Sequence, residues 1–570
     1  MKRLAIHLKK YRKDCFLAPL CKLVEALSEL FVPLVVADLI NRGVNGGDKK
    51  VIIVDACVMA ALAFIGLGFS IIGQFFSARA ATGFSSDVRG NLYKKLLSSP
   101  LSETDKMGVS TMVTRMTSDI NQMQNGVNMV LRLLLRSPFV VLGAFVCAAI
   151  IDLKISLVFL ATIVILGIVV AIIMRITMPK YVKAQGMLDD VALTARENLT
   201  GARVIRAFGA EDDEIAAYKK KTAAMEKFQN FTGAISSLLN PITFTIVNLA
   251  IVALLYGGAI RVSSGALSQG MVIALYDYMS QILIELVKFA NLIVSVSRAL
   301  ACAKRVESVL EIDDEKDCYE GGITSDKYIE FKNVTVRYSD NSTGVKNISF
   351  TVNKGETIGI IGGTGSGKST VVNLLPRLYD ASEGAVFFDG INVKNYPLKE
   401  LRKRIAIALQ RPAIFEGTIR SNVSLDGSAD EKTIETAIEN AQAADVVKSK
   451  TGGLDALLEQ RGRNLSGGQK QRLSVARALA KGAEVLILDD SSSALDYMTD
   501  LKLRQAIKSL GESLTTIIVS QRASAVRNAD KIIVLGDGEI IGEGTADYLR
   551  ETCEVYREIE ASQMKEGGVR

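Results

Sequence analysis

Six long apolar blocks in the N-terminal half limit what this chain can fold into. As a helix, each block is long enough to cross about 30 Å of hydrocarbon, where a helix satisfies its own backbone hydrogen bonds. The blocks run approximately over 15–40, 51–77, 127–151, 154–179, 236–261 and 271–300. Hydrophobic residues make up 49% of the chain, which is high for a soluble protein. We therefore predict six transmembrane helices, of which Ile155 to Met178 is the clearest.

The N-terminal segment is basic and predicts a cytoplasmic start. Its basic residues are Lys2, Arg3, Lys9, Lys10, Arg12 and Lys13. Such residues mark the cytoplasmic side of a membrane protein and favour an amphipathic helix at the interface. We expect the segment to be retained, because the next block contains Glu25 and Glu29 and has no clear small-residue cleavage site. An even number of spans then returns the C-terminal half to the cytoplasm.

The connections between the blocks are unequal in length. Long polar stretches, approximately 78–126 and 180–235, follow the second and fourth blocks. Only Asp152 to Lys154 joins the third block to the fourth. The long connections are therefore expected on the cytoplasmic side.

The C-terminal half contains a complete phosphate-binding loop, Gly362-Gly363-Thr364-Gly365-Ser366-Gly367-Lys368-Ser369. It lies between the apolar run Thr357 to Ile361 and the helix-like stretch Thr370 to Leu378, which is the strand, loop and helix context that the motif requires. Glycines let backbone N–H groups turn toward phosphate oxygens, Lys368 can reach the β- and γ-phosphates, and Ser369 can hold Mg²⁺. The alternative, an ordinary glycine-rich turn, does not explain the motifs downstream.

Two downstream segments complete a nucleotide site. The apolar run Val485 to Leu488 ends in Asp489, as expected of a buried parallel strand that delivers a carboxylate to Mg²⁺. Just upstream lies Leu465-Ser466-Gly467-Gly468-Gln469. Small residues and N–H groups at the start of a helix can hold a phosphate group.

From about Tyr328 to the C-terminus these motifs resemble the nucleotide-binding domain of ABC transporters, and the first half resembles the membrane domain of ABC exporters. The resemblance implies an α-helical membrane domain of six transmembrane helices at 1–312, a linker at 313–327 and an α/β P-loop ATPase domain at 328–570. Short coupling helices are implied near Leu101 to Thr111 and Gly201 to Phe208. ATP and Mg²⁺ are the implied cofactors.

The resemblance also implies roles residue by residue. Tyr338 would stack on adenine, and Ser369, Gln410 and Asp489 would hold Mg²⁺. Because two such domains face each other head to tail, Leu465 to Gln469 would complete the ATP site of a partner chain. The implied nucleotide contacts are Tyr338, Gly363, Thr364, Gly365, Ser366, Gly367, Lys368, Ser369, Thr370, Gln410, Ser466, Gly467, Gly468, Gln469 and Asp496.

Two catalytic positions depart from the family pattern. Asp490 stands where the family has a glutamate that orients or deprotonates the attacking water, and Gln521 stands where it has a histidine. The shorter Asp490 retracts its carboxylate by about 1.5 Å, and a misplacement of about 1 Å can cost on the order of a hundredfold in rate. Glutamine cannot carry the proton of an imidazole. We therefore expect a site that binds ATP but hydrolyses it poorly, and a homologous partner that retains both residues. A tolerated variation that still turns over is the alternative.

Ionisable residues inside the spans give the only direct hints about cargo. The neighbouring pairs are Glu25 with Glu29, Arg132 with Arg136, and Glu285 with Lys288. We expect the arginines to snorkel or to form structural pairs, whereas the two glutamates could either pair or contact cargo. An acidic cavity would suit cationic amphiphiles.

These patterns favour ATP-driven export of amphiphilic small molecules, drugs or lipids, across the cytoplasmic membrane. An exporter-fold importer, for example of siderophores, and an ATP-gated regulator or channel are the alternatives. The apolar half excludes a soluble ABC ATPase. The single histidine, His7, excludes histidine-containing triads. The net charge of +7 is modest for 570 residues, so no nucleic acid partner is implied. The expected partners are a homologous half-transporter, amphiphilic cargo and membrane lipid.

Overall fold

The computed structural model describes residues 2–318, 324–338, 343–491, 493–511 and 513–567. Within these residues the chain forms two compact units. The first comprises Met1–Leu97 and Ser110–Glu311, and the second comprises Ser98–Val109 and Ile312–Arg570. The linker residues Gly321 and Gly322 lie outside the described residues. The domain limits at 312 and 328 stay predictions.

The first unit is built from helices. The α-helices between residues 2 and 310 are Lys2–Leu8, Arg12–Asp38, Lys49–Ser98, Leu101–Met107, Val109–Thr114, Ile120–Leu133, Arg136–Ile151, Leu153–Thr200, Ala202–Ala207, Glu211–Ser237, Leu239–Ser263 and Gln269–Leu310, of which Leu101–Met107 lies in the second unit. Leu101–Met107 and Ala202–Ala207 are short helices at the two positions where coupling helices were predicted.

Most of the predicted spans correspond to helices that could cross a membrane. Among the described residues, five helical stretches are long and apolar enough: Lys49–Ser98, Val109–Ile151, Leu153–Thr200, Glu211–Ser263 and Gln269–Leu310. They contain five of the six predicted spans. The remaining span, 15–40, overlaps helix Arg12–Asp38, whose sequence includes Lys22, Glu25 and Glu29. These charges make it less apolar than the other five.

Asp152 forms the sharp turn between the third and fourth predicted spans. Its backbone is extended, and its Oδ1 accepts hydrogen bonds from the N–H groups of Lys154 at 2.9 Å and Ile155 at 3.1 Å. This is the N-cap of helix Leu153–Thr200. Arg261 forms an ion pair with the other carboxylate oxygen. The short predicted connection is therefore a capped and charge-paired turn.

A buried arginine joins three helices of the first unit. Arg136 Nη1 donates to Glu285 Oε1 at 2.6 Å, and Nη2 donates to Glu29 Oε2 at 2.6 Å. Ser137 and Lys288 also donate to Glu285, at 2.7 and 2.9 Å. Charges at membrane depth are stable when they are paired in this way. The predicted structural pairing of Arg136 is thus observed.

The second predicted glutamate is also paired. Lys22 Nζ donates to Glu25 Oε2 at 2.5 Å and to Ser70 Oγ at 3.0 Å. Since Glu29 is bonded to Arg136, each of the two neighbouring glutamates faces a cation. The negative charges of Glu25 and Glu29, which suggested an acidic cavity, are therefore neutralised.

The second unit is an α/β domain with two main sheets. The six-stranded sheet has the order Glu539–Gly544, Lys531–Gly536, Thr357–Gly362, Thr515–Ser520, Val485–Asp489 and Ile405–Ala408. The first of these pairs is antiparallel and the others are parallel. The four-stranded antiparallel sheet has the order Thr343–Val352, Ile329–Arg337, Glu383–Phe388 and Ile391–Asn392. Gly417–Thr418 pairs with Leu457–Leu458.

Ten α-helices accompany these strands in the described part of the ATPase half. They are Lys368–Leu374, Leu398–Arg404, Ile419–Val423, Glu431–Asn440, Ala444–Lys448, Gly467–Ala480, Tyr497–Ser509, Ala523–Val526, Ala546–Thr552 and Glu554–Gly567. The parallel strands are rich in Val, Ile and Leu and are almost wholly buried, as expected when both faces of a sheet are covered. The predicted fold class, a helical membrane domain followed by an α/β P-loop domain, is confirmed.

The buried position of Arg136 predicts a position-specific loss of stability. Arg136→Leu would leave Glu285 buried without its arginine, and breaking a buried ion pair typically costs about 3–5 kcal/mol. We expect the thermal unfolding midpoint of the purified protein to fall by roughly 6 °C or more. The matched control is Arg132→Leu, four residues earlier, because Arg132, unlike Arg136, forms no hydrogen bond or ion pair with any residue that the structure describes. Equal shifts for the two variants would contradict a stabilising role for the Arg136 pairs.

Candidate functional site

The phosphate loop joins the strand Thr357–Gly362 to helix Lys368–Leu374. Gly365 and Gly367 have φ angles of +83° and +91°, which glycine adopts far more easily than other residues. A Cβ atom on Gly367 would lie 2.4 Å from Val345 Cγ1 and 2.7 Å from the Gly344 carbonyl oxygen. Conformation and space therefore both require glycine at residue 367.

The Lys368 side chain is buried inside this loop. Its Nζ donates to the carbonyl oxygens of Gly362 at 2.9 Å and Gly363 at 2.6 Å. Burial lowers the pKa of the Lys368 ammonium, and the nearby carboxylates of Asp490 and Asp489 oppose that shift. Nζ also lies 3.4 Å from the Ser366 hydroxyl. An ammonium held only by neutral oxygens can exchange them for phosphate oxygens, which form stronger, charge-assisted bonds.

Two predicted Mg²⁺ ligands meet at the end of a buried strand. Asp489, the last residue of Val485–Asp489, is 3% exposed, and its Oδ1 accepts a hydrogen bond from Ser369 Oγ at 3.0 Å. Burial raises the pKa of Asp489, and the bond from Ser369 opposes that shift.

The donor set fits Mg²⁺. This ion prefers oxygen ligands, keeps several waters, and is usually bound by one or two protein oxygens together with substrate phosphates. Ser369 and Asp489 supply a hydroxyl and a carboxylate of that kind. Among the described residues there is no group of three or more His, Cys, Asp or Glu side chains that could cage a metal. The arrangement therefore suits an ion held jointly with a nucleotide.

Asp490 and Gln521, the two positions that depart from the family pattern, lie beside the same loop. Gln410 Nε2 is 3.4 Å from Asp490 Oδ2, and Thr364 Oγ1 is 3.5 Å from Gln521 Oε1. Burial raises the pKa of Asp490, and the Gln410 hydrogen bond lowers it. The structure thus brings Gln521 to Thr364 of the loop and Asp490 close to Lys368, while Gln410 contacts Asp490.

The backbone of Asp490 is unusual. Its φ is +46°, in the left-handed region that few non-glycine residues occupy. The Asp490 N–H donates to the carbonyl oxygen of Val519 at 2.9 Å, in the neighbouring strand. This bond fixes the direction in which the short carboxylate leaves the strand.

Tyr338 lies at the start of the phosphate-loop helix. Its hydroxyl is 2.7 Å from Thr370 Oγ1, and its side chain remains partly exposed. The ring meets Tyr379 edge to face, with 6.4 Å between ring centroids. An aromatic ring in this position is available to stack on a base.

Residues Leu465 to Gln469, called the signature segment below, lie at the start of helix Gly467–Ala480. Ser466 Oγ accepts a hydrogen bond from the Gln469 N–H at 3.3 Å, and Gln469 Oε1 accepts one from the Ser466 N–H at 2.9 Å. This reciprocal pair is a capping box, which the S-x-x-Q spacing reveals in the sequence. No hydrogen bond joins the signature to the phosphate loop in the part of the chain that the structure describes.

Gln471 is a residue that the sequence analysis missed. It is 3% exposed, its Nε2 donates to the Asp490 carbonyl oxygen at 3.1 Å, and its Oε1 accepts from the Ala494 N–H at 3.1 Å. It therefore joins the signature helix to the loop after Asp489. Its helical spacing from Val475 and Ala478 places it on the buried face of the helix. A polar glutamine among apolar residues on that face is the sequence feature that could have indicated its role.

Asp496 has a structural role in this chain. Its Oδ1 accepts a hydrogen bond from the Thr499 N–H at 2.9 Å, which caps helix Tyr497–Ser509. Hydrogen bonds from Thr499 lower the pKa of Asp496. Asp496 therefore caps this helix from an exposed position.

Comparison with known proteins gives consistent matches over both halves. Residues 15–286 match the family described as the ABC transporter transmembrane region, and residues 345–493 match the ABC transporter family. The chain is 34% identical to the uncharacterised ABC transporter ATP-binding protein YfiB of Bacillus subtilis, covering 100% of this chain and 99% of that protein.

Two further relatives carry more specific names. The chain is 29% identical to the ATP-dependent lipid A-core flippase of Hahella chejuensis, over 99% of this chain and 97% of that protein. It is 30% identical to the probable multidrug resistance ABC transporter ATP-binding/permease protein YheH of Bacillus subtilis, over 86% and 74% respectively.

The fold matches a solved exporter. The structure of a bacterial Atm1-family ABC exporter with ATP bound aligns with a TM-score of 0.82 at 22% identity, covering 97% of this chain and 98% of that one. The apolar helices place this protein in the membrane, with its ATPase domain in the cytoplasm. The chain therefore belongs to the ABC transporter family and is an exporter half, with one transmembrane domain and one ATP-binding domain.

Proposed function

We propose that this chain is one half of a heterodimeric ABC exporter of amphiphilic small molecules, and that its own phosphate-loop site binds ATP but hydrolyses it slowly. The observation that supports this is the pair of substitutions, Asp490 and Gln521, beside an otherwise complete phosphate loop. Both side chains lie within 3.5 Å of residues implied to contact the nucleotide, Gln410 and Thr364.

In this proposal the chain's own residues bind and orient ATP. Adenine stacks on Tyr338, phosphates contact Gly363 through Thr370, and the Lys368 ammonium moves from carbonyl to phosphate oxygens. Ser369 and Asp489, with Gln410, would hold Mg²⁺, which neutralises phosphate charge when it is bound. Asp490 would position the attacking water, but its carboxylate is about 1.5 Å shorter in reach than that of glutamate.

The signature would act on the partner's nucleotide. Ser466 to Gln469 lie at the N-terminus of helix Gly467–Ala480, where N–H groups and the helix dipole favour an anion. Gly468 has little free space, since a Cβ atom there would lie 2.8 Å from the Ala494 carbonyl oxygen. An intact signature and an altered catalytic site together predict one weak and one strong site in the pair.

Amphiphilic cargo is supported by the relatives and by the charge balance. The named relatives include a lipid A-core flippase and a probable multidrug resistance transporter. Inside the membrane unit, Glu25 and Glu29 are each paired with a cation. The proposal therefore requires an apolar surface on the cargo but does not require the cargo to be positively charged.

The weak site favours one second candidate, an ATP-gated regulator or channel. Such a device would use ATP binding to bias an access equilibrium without repeated turnover. Transport that needs continuous hydrolysis would contradict it, whereas passive flux under non-hydrolysable ATP would support it.

Mass spectrometry of a tagged copy, purified intact from its native membrane, tests the heterodimer. We expect a stoichiometric homologous chain that has glutamate after its Walker B aspartate and histidine at the position of Gln521. Recovery of this chain alone, as a dimer, would refute the heterodimer.

Restoring the two substituted residues tests the weak site. The partner's catalytic glutamate is first replaced by glutamine, so that phosphate release reports only the site built on this chain. We then expect Asp490→Glu with Gln521→His to raise the rate by about a hundredfold over the unmodified chain. Adding Lys368→Ala should remove the gain. Equal rates with and without the two replacements would show that Asp490 and Gln521 already suffice.

Removing the charge of Asp489 should have opposite effects on stability and on nucleotide binding. Because its pKa is raised by burial, the ionised form is disfavoured by the fold, and this destabilisation is present above the raised pKa and is lost as the pH falls. Asp489→Asn should therefore raise the unfolding midpoint of the nucleotide-free protein at neutral pH, and the rise should shrink as the pH is lowered. The same variant should lose the Mg²⁺-dependent stabilisation by ATP.

The matched control for that experiment is Asp496→Asn. The pKa of Asp496 is lowered by its cap hydrogen bonds, so neutralising it should not raise the midpoint. A pH-independent rise for Asp489→Asn, or no rise at all, would contradict the argument from burial.

A further inference from the structure

A cavity of about 680 Å³ lies beside Tyr338 within the second unit. Its lining includes Tyr338 and Tyr379 from the ATPase fold, together with Ser102 and Asp105 from the segment Ser98–Val109. That segment lies between membrane helices in the sequence but belongs to the second unit. A base stacked on Tyr338 would therefore be within reach of side chains that precede the ATPase domain in the chain.

Asp105 is an exposed side chain in this lining, and a hydrogen bond orients it. Tyr379 Oη donates a short hydrogen bond to Asp105 Oδ2. Burial and the bond to Asp105 raise the pKa of Tyr379, so its hydroxyl stays protonated and continues to donate. No hydrogen bond reaches Asp105 Oδ1 from any residue that the structure describes. The carboxylate thus has one oxygen fixed and one available as an acceptor.

The beginning of the same segment is anchored. Ser98 Oγ donates to Asp314 Oδ1 at 2.5 Å, and the Glu315 N–H donates to the Ser98 carbonyl oxygen at 2.8 Å. Arg402 holds the Glu315 carboxylate with two bonds, at 2.6 and 3.0 Å. The segment is therefore held at Ser98 as well as at Asp105.

We propose that Asp105 distinguishes adenine from guanine in the nucleotide bound by this chain. The inference rests on the proposed function, in which Tyr338 is the stacking platform for the base. Adenine carries an exocyclic amino group that donates a hydrogen bond, whereas guanine carries a carbonyl acceptor at the same ring position. A carboxylate accepts only, so Asp105 Oδ1 pairs with the adenine amino group and repels the guanine carbonyl.

The test measures nucleotide binding to this chain alone, in the full-length protein purified from membrane together with any natural partner. Radiolabelled 2-azido-ATP is photo-crosslinked with Mg²⁺ in the presence of increasing unlabelled ATP or GTP, and the tagged chain is then isolated under denaturing conditions. The readout is the ratio of the GTP and ATP concentrations that halve its labelling.

We expect the wild-type ratio to be about ten or more and that of Asp105→Asn to be about one to two. An amide presents either a donor or an acceptor, so it accommodates both bases. Tyr379→Phe keeps the carboxylate but removes its orienting donor, and its ratio should be intermediate. The matched control is Asp313→Asn, the same charge change on another residue that lines the cavity, and it should leave the ratio unchanged.

Several outcomes would overturn the assignment. A ratio that is equal in wild type and Asp105→Asn, or an equal weakening of ATP and GTP, would show that Asp105 does not read the base. Labelling that disappears in Lys368→Ala but shows no base preference overturns this inference alone. Wild-type labelling that is absent, or that survives Lys368→Ala, overturns the proposed nucleotide site and the base reading together.

Discussion

The nucleotide half of this protein depends on the parallel pairing of strand Thr515–Ser520 with Thr357–Gly362 on one side and Val485–Asp489 on the other. In this register Ser520 lies beside Ile361, and Val519 lies beside Asp489. The phosphate loop, the Walker B carboxylate and Gln521 therefore leave the sheet at the same edge. A slip of one residue would turn Asp489 to the other face of the sheet and separate it from Ser369. The Val519 carbonyl oxygen also accepts a hydrogen bond from the Asp490 N–H, so the same strand holds the backbone of the altered catalytic position.

Much of this arrangement is predictable from local sequence signals. The glycines and Lys368 identify the loop, and a short apolar run ending in Asp489 identifies the strand, so the bond between Ser369 and Asp489 follows from the usual geometry of parallel sheets. The capping roles of Ser466 with Gln469, and of Asp496, are also local, because each capping bond joins residues three apart. The family resemblance implies nucleotide contacts for these side chains, and the three-residue spacing also allows their capping bonds.

Interactions between residues far apart in the sequence were harder to predict from the sequence. The pairing of Arg136 with Glu285 and Glu29 joins residues 149 and 107 positions apart, and depends on which helix faces pack together. The same holds for Gln471, since its role follows from its contacts with Asp490 and Ala494 rather than from a motif. The predicted first span, within Arg12–Asp38, shows the same limit. Its charges weaken the apolar signal in the sequence. In the structure, however, Lys22 and Glu25 form an ion pair within one helical turn, and charges paired in this way are tolerated at membrane depth.

The assignment of Ser98–Val109 to the second unit has a consequence for the order of folding. This segment is synthesised early, whereas its contacts, Glu315 and Tyr379, emerge from the ribosome only after the last membrane helix, Gln269–Leu310. Domains generally fold as units during synthesis, N-terminal parts first. Here the early segment can form its final contacts only after the ATPase half has been synthesised. An ATPase half expressed from residue 312 onward would lack one wall of its own cavity, so its folding and its nucleotide preference would differ from those of the intact chain.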